Sequence, residues 1–314
     1  MANPATKEQQ LTTLRTVWER YRAYANTSGR LKGEQGGWRR VVLWASVLAL
    51  LATPFGKTFE KYHLDGLAIV LTLGATVLFA LIAWLNESIL GEASDQPWVK
   101  TRQTAEGLKA LSFRFLGGVP PFDSADAVTN ALQQAEAMAD AGGTADAVVA
   151  AEAEKRIPPA PLTIGDYLTL RVADQISFYE KAATDARQAN AKLVRIGRLI
   201  SATVVVFGAL GAAIAQTWRE IWAPALGAAS TLVTTQMAVS RRRFLVETYS
   251  LAAQKLRFAR TTFETSQRTP SDEAALVATV ESILANENAG WVQQMLLKPV
   301  VPDPSRASTA NGGK

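Results

Sequence analysis

The chain has 314 residues, a net charge of +5, a single histidine (His63) and no cysteine. Disulfides, iron–sulfur clusters, thiolate metal sites and cysteine nucleophiles are excluded, and so are multi-histidine metal sites and histidine triads. The apolar residues gather in a few blocks. In such a chain the basic excess points to positive-inside loops before it points to nucleic acid.

The first residues are polar and lack the apolar core of a signal peptide, so insertion would rely on later segments. Residues 7–35 read as an amphipathic helix. Leu11, Leu14, Trp18, Tyr21 and Ala25 follow a 3-4-3-4 spacing that suits a partner helix, or a helix lying on anionic lipid. A short first span, 41–55, follows Arg39 and Arg40 and carries Pro54 near its far end. A loop from Gly56 to Asp65 holds His63. It leads into 66–85, GLAIVLTLGATVLFALIAWL, which contains no charge and at about 1.5 Å per residue is roughly 30 Å long, the thickness of a bilayer core.

Trp98 to Phe115 reads as a returning helix with Ala105, Leu108, Leu111 and Phe115 on one face. Gly117-Gly118 and Pro120-Pro121 end it. Residues 123–154 are acidic and alanine-rich, one or two short helices interrupted at Gly142-Gly143. The segment 157–161, IPPAP, is the best linker. Beyond it a long helix with Leu168, Val172, Ile176, Tyr179 and Ala183 on its apolar stripe runs into a third span, 199–215. Gln216 to Glu220 reads as a turn and 221–240 as a fourth span, stopped by Arg241, Arg242 and Arg243. A second returning helix carries Leu245, Tyr249, Ala252, Leu256, Ala259 and Phe263. Thr269-Pro270 caps a last helix with Leu276, Val280, Leu284 and Trp291. Residues 297–314 read as a disordered tail.

The fold expected is an all-α membrane protein of two tandem modules, 1–156 and 162–296. Each would be a two-span hairpin flanked by cytosolic amphipathic helices that form a bundle. The flanking arginines put both termini in the cytoplasm. Arg39, Arg40 and Arg241 to Arg243 serve as topology anchors. The triple cluster also suits anionic lipid or a phosphate-bearing messenger.

The third and fourth spans are rich in small residues. Gly208, Gly211 and Gly227 sit in small-xxx-small pairs that allow close packing in lipid. Ser201, Thr203, Thr231, Thr234, Thr235 and Gln236 offer a second reading, a polar uncharged path formed once protomers assemble. Four spans enclose no wide pore alone, so conduction implies a homo-oligomer. No enzyme motif is present and no cofactor is expected. Glu106 and Glu247 read as surface partners of nearby basic residues.

Three groups of residues resemble a known family. Trp98, Arg102, Ala105-Glu106, Leu108-Lys109, Phe113-Arg114-Phe115 and Pro121-Phe122 are similar to the segment after the hairpin in SLATT domains, with its W…R..AE..K…WRY…PF pattern. Phe113 and Phe115 replace its aromatics. Tyr167, Arg171, Asp174-Gln175 and Tyr179 resemble the family's Y…R..DQ..WY helix before the hairpin, with Phe178 in place of Trp. Glu287 and Trp291 resemble the E…W near its end. SLATT domains are two-span modules associated with cyclic-oligonucleotide synthases and SLOG sensors in bacterial conflict systems. The resemblance implies an inner-membrane effector that perforates or depolarises the membrane. No synthase or SLOG domain is visible in this sequence, so a sensor or nucleotide second messenger would act in trans. Two other readings stand beside it: a membrane-anchored scaffold or sensor that never conducts, and a small transporter. The transporter is weakest, because no ionisable residue lies inside a span.

Overall fold

The computed structural model describes residues 6–91, 94–124, 126–146, 156–210 and 216–296, with the side chains of 204, 207–210, 216–220 and 236–240 excepted. Every regular element among them is helical: α1 (Lys7–Lys61), α2 (Asp65–Ser88), α3 (Gln96–Leu116), α4 (Ala127–Gly142), α5 (Ile164–Tyr167), a π-helical segment (Leu168–Ala173), α6 (Asp174–Leu210), α7 (Gln216–Ser240), α8 (Arg242–Glu264) and α9 (Pro270–Leu296).

Two boundaries differ from the expectation. The first amphipathic helix and first span are one helix, α1, and the Gly56 to Asp65 loop shrinks to a turn in which His63 takes a φ of 60°. Pro54 lies inside α1. It removes one amide donor, and its own carbonyl still accepts from Thr58 Oγ1 at 2.8 Å, so the helix continues. Gln216 to Glu220, expected as a turn, begins α7. The expected span 199–215 ends within 211–215, outside the described residues, as do the acidic stretch 147–155 and the tail 297–314. Arg241, at φ 47°, separates α7 from α8 where the basic cluster begins. The Thr269 cap is present. Its hydroxyl accepts from the Asp272 amide at 3.3 Å, and Asp272 Oδ2 accepts from the Thr269 amide at 2.9 Å.

The chain divides into two compact units. The first draws on Met1–Gly36, Ala93–Thr184 and Val246–Leu297. Its core is a water-soluble kind of core: Leu14, Val17, Trp18, Leu108, Leu111, Phe113, Phe115, Tyr167, Val172, Leu256, Val280 and Trp291 are all buried. The stripes expected on α3, α8 and α9 are the buried faces, although Leu245 at the start of the α8 stripe is only half-buried and lies in the second unit. On α1 the buried face is turned by about one residue. Leu14 and Trp18 are inside, with Val17 and Tyr24, whereas Leu11, Tyr21 and Ala25 are half-buried. The Tyr24 hydroxyl lies 2.6 Å from the carbonyls of both Ala139 and Gly143 and ties α1 to the end of α4. Arg30 adds a two-pronged contact to Asp146, 3.0 Å on each side.

The second unit draws on Gly37–Glu92 and Asp185–Leu245. Its pattern is inverted. The buried positions are mostly alanines, Ala45, Ala49, Ala68 and Ala75, while Trp44, Leu48, Ile69, Val70, Leu73, Val77, Trp84, Leu199 and Val205 are exposed. Small residues inside and large apolar ones outside is how helices pack in lipid, where tails solvate Leu and Val as well as protein does. At Gly56 a side chain would meet Thr72 Oγ1 at 3.0 Å, so glycine lets α1 and α2 approach closely. Phe55 of α1 packs edge-on against Trp222 of α7 with ring centroids 5.2 Å apart. Among the described residues α1 and α2 are long and apolar enough to cross a membrane. Only 11% of the apolar stretch of α2 is buried, unlike the core helix of a soluble protein.

Candidate functional site

The first unit holds a cavity of about 330 Å³ whose walls come from α3, α4, the π-helical segment, α6 and α9. That volume is at the lower end of what small-molecule sites use. The residues that build it are polar groups presented at helical spacing.

Thr163 starts one wall. Its hydroxyl accepts from the Asp166 amide at 3.1 Å while the Asp166 carboxylate accepts from the Thr163 amide, a capping box that fixes the start of α5. The π-helical segment then widens the turn around Arg171, and one turn on α6 brings Gln175 and Tyr179 to the same side. Arg171 is 1% exposed. Its Nε and Nη2 donate to the two oxygens of Glu281 at 2.9 and 2.8 Å, and the Tyr167 hydroxyl donates to Glu281 Oε1 at 3.0 Å. The Phe113 ring covers the guanidinium at 5.0 Å. Burial alone would depress the Arg171 pKa, but the charge and hydrogen bonds of Glu281, helped by Tyr167 and Glu106, hold it above the ordinary value. Burial, then the Glu281 charge, keeps Tyr167 a phenol well above its usual range.

A second polar group lies further along α6 and α9. The Tyr179 hydroxyl donates to Glu287 Oε2 at 2.9 Å. Burial raises the Glu287 pKa, opposed by the Tyr179 hydrogen bond and the Arg102 charge. Burial and the Glu287 charge raise that of Tyr179. Arg102 lies flat on Trp291, 3.9 Å from its ring centroid, and Trp98 meets Trp291 edge-on at 5.1 Å. Lys109 is pushed down by burial and by Arg171, against the pull of Glu106, Asp174 and Glu281. Arg171 Nη1 and Glu287 Oε1 are buried with no hydrogen-bond partner among the described residues, one donor and one acceptor.

The structure thus brings together Trp98, Arg102, Glu106, Lys109, Tyr167, Arg171, Gln175, Tyr179, Glu287 and Trp291, from both sides of the 157–161 segment. Arg114 lies apart, donating to the Pro120 carbonyl at 2.8 Å, and Asp174 is half-exposed at 3.8 Å from Lys109. Glu281 is the central residue that sequence reasoning missed. It lies on the apolar face of α9 with Val277, Val280 and Leu284, and that placement was the available signal.

The residues suggested for a path are not gathered into a site. Ser201, Thr203, Gly227, Thr231 and Thr234 are exposed. The three threonine hydroxyls each donate one turn back, Thr203 to Leu199 at 2.9 Å, Thr231 to Gly227 at 3.1 Å and Thr234 to Ser230 at 3.0 Å, which satisfies them without a partner helix. A side chain at Gly227 would meet open space. Gly211 and the surroundings of Gly208 and Gln236 lie outside what is described. Arg39, Arg40 and Arg243 are exposed; Arg242 Nη1 donates to the Ala189 carbonyl at 2.7 Å. Among the described residues no group of three or more His, Asp or Glu could hold a metal.

Comparison with known proteins gives one family match, and it falls on this site. Residues 167–291 match the model of SLATT_1, the SMODS and SLOG-associating 2TM effector domain 1. No curated protein and no solved structure matches the chain. The matched stretch starts at Tyr167 and ends at Trp291, and so takes in the Arg171–Glu281 and Tyr179–Glu287 pairs. The chain thus carries a stretch, residues 167–291, that is similar to the SLATT_1 domain, and its described residues include two helices, α1 and α2, long and apolar enough to cross a membrane.

Proposed function

We propose that the chain is a non-catalytic effector of the bacterial inner membrane, in which the second unit lies in the bilayer and the first, in the cytoplasm, receives the signal. The signal would come in trans from a nucleotide-based conflict system, and the response would be perforation or depolarisation of the membrane by an oligomer. The observation that carries this reading is the contrast between the units. One has a cavity lined by charged and amide side chains, and the other turns its large apolar side chains outward. In this reading the two SLATT-like modules, 1–156 and 162–296, meet at the cavity, Arg102 and Glu106 coming from one and Arg171, Gln175, Tyr179 and Glu287 from the other.

The test is membrane potential in cells, and dye release from liposomes holding the purified chain, with products of bacterial cyclic-oligonucleotide synthases supplied as triggers. Wild type should depolarise. Gly211→Leu should insert but fail to assemble tightly, since Leu favours the membrane while its bulk separates helices. Gln236→Leu should be milder. A trigger that binds the wild type and leaves the membrane sealed would replace the pore by the scaffold reading.

A further inference from the structure

The first unit carries a second concavity, unrelated to the cavity above. It is a groove of about 730 Å³ between α8 and α9, running from Leu251 and Ile283 to the turn at Ser266 and Asp272. Phe258 stands in it 73% exposed, the largest value for a large apolar side chain among the described residues, and Leu251, seven residues earlier on the same face, is 51% exposed. In the second unit such exposure has lipid to cover it. In the first unit, which the proposed function places in water, it has none, and an apolar strip of this kind marks a binding surface.

We propose that this groove is a two-fold interface with a second copy of the chain. Its own two walls supply the argument. The α8 wall carries exposed Lys255, and the α9 wall carries Asp272 at the turn end. Phe258 lies between these levels, Lys255 about 5 Å away along the helix at 1.5 Å per residue. A two-fold axis beside Phe258 therefore runs α8 antiparallel to its copy, seats the two Phe258 rings together in the joined grooves, and sets each Lys255 toward the Asp272 of the second copy. This is the self-complementarity that a two-fold contact requires. A concave surface suits a protruding side chain better than a flat bilayer, and a lining with both signs of charge, Lys255 and Arg257 against Asp272, suits a second copy of itself.

The native chain has no cysteine, so a single introduced thiol reports cleanly. In the full chain in nanodiscs, Phe258→Cys should give a disulfide-linked dimer on mild oxidation, while Gln133→Cys on exposed α4 should not. Mass photometry should show Lys255→Glu weakening the dimer severalfold, and Asp272→Asn, which keeps a capping acceptor, should restore it in the double variant. The interface is overturned if the Phe258→Cys chain stays monomeric or cross-links no better than the Gln133→Cys chain. It is equally overturned if a fluorophore on the Phe258→Cys thiol is quenched by spin-labelled lipid. The inference rests on the effector reading only for the placement of this unit in water. None of its readouts needs a trigger or a leak, so a sealed membrane would leave it standing.

Discussion

Arg171 and Glu281 form a two-pronged ion pair closed off from solvent, with Nε and Nη2 at 2.9 and 2.8 Å from the two carboxylate oxygens and exposures of 1% and 4%. Both charges were taken out of water to make it. Such a pair adds little net stability, but removing one member strands the other. Arg171→Met or Glu281→Leu alone should cost about 3–5 kcal/mol. The double variant should recover most of that loss, because two apolar side chains leave no buried charge. Thermal unfolding of the detergent-solubilised chain measures it. Single variants that melt with the wild type would mean the pair is not sealed.

The Tyr179–Glu287 contact predicts a pH dependence with a definite sign. Glu287 is raised above its ordinary 4.5, first by burial. The folded state therefore holds this proton more tightly than the unfolded chain does. Its contribution is fully present below the unfolded pKa and is lost as pH rises through the folded one. Glu287→Gln keeps an acceptor for the Tyr179 hydroxyl and carries no charge. It should melt with the wild type at pH 4 and above it at pH 8. Parallel melting curves at both pH values would show that the carboxylate is well solvated.

Gly142 closes α4 against α1 and α3. A side chain there would lie 2.8 Å from Tyr24 Cε1 and would overlap Thr104 as well. Overpacking of this size costs about 1–3 kcal/mol. Gly142→Ala should destabilise by that much, and Thr104→Ala in the same chain should return part of it. A neutral Gly142→Ala would mean that α4 can shift outward freely.

These sites differ in how far the sequence announced them. The faces of α3, α8 and α9 were legible because Leu108, Leu256 and Val280 repeat at helical spacing and are buried as that spacing requires. The face of α1 was misread by about one residue. Thr13, Thr27 and Ser28 are buried there too, and a small hydroxyl residue gives no periodic signal. The two glycines at close approaches, Gly56 and Gly142, read as a loop and a break, since close packing and chain reversal use the same residue. Arg171 and Gln175 came from the family motif and not from periodicity, which took the neighbouring Val172 and Ile176 as the stripe. Glu281 escaped both, because its partner lies 110 residues away.

Leu256 tests whether the α8 stripe is a core. It is fully buried. Leu256→Asp would place a carboxylate with no partner in an apolar setting, at a cost of several kcal/mol. The variant should lose melting temperature and oligomer size in detergent. If both survive, that face of α8 is not holding the bundle together.

Topology is the prediction on which the membrane reading turns. Arg39, Arg40, Arg195, Arg198 and Arg241 to Arg243 flank the apolar segments on the sides that adjoin the first compact unit in the sequence, which spans Met1–Gly36, Ala93–Thr184 and Val246–Leu297. At the opposite ends of the apolar segments, the end of α1 through the start of α2 and the start of α7, the charges are Lys57, Lys61 and Arg219, offset in part by Glu60, Asp65 and Glu220. Positive charge is retained on the cytoplasmic side, so residues 61 and 218 should face out and residues 140 and 314 should face in. A reporter active only outside the cytoplasm should work when fused at 61 or 218 and stay silent at 140 or 314. Residue 140 is the decisive position. It lies on α4, whose face packs on α3 within the first unit, so that unit would have to cross the bilayer folded for a fusion there to become active. Activity at 140 would therefore remove the four-span arrangement and, with it, a cytoplasmic seat for the cavity.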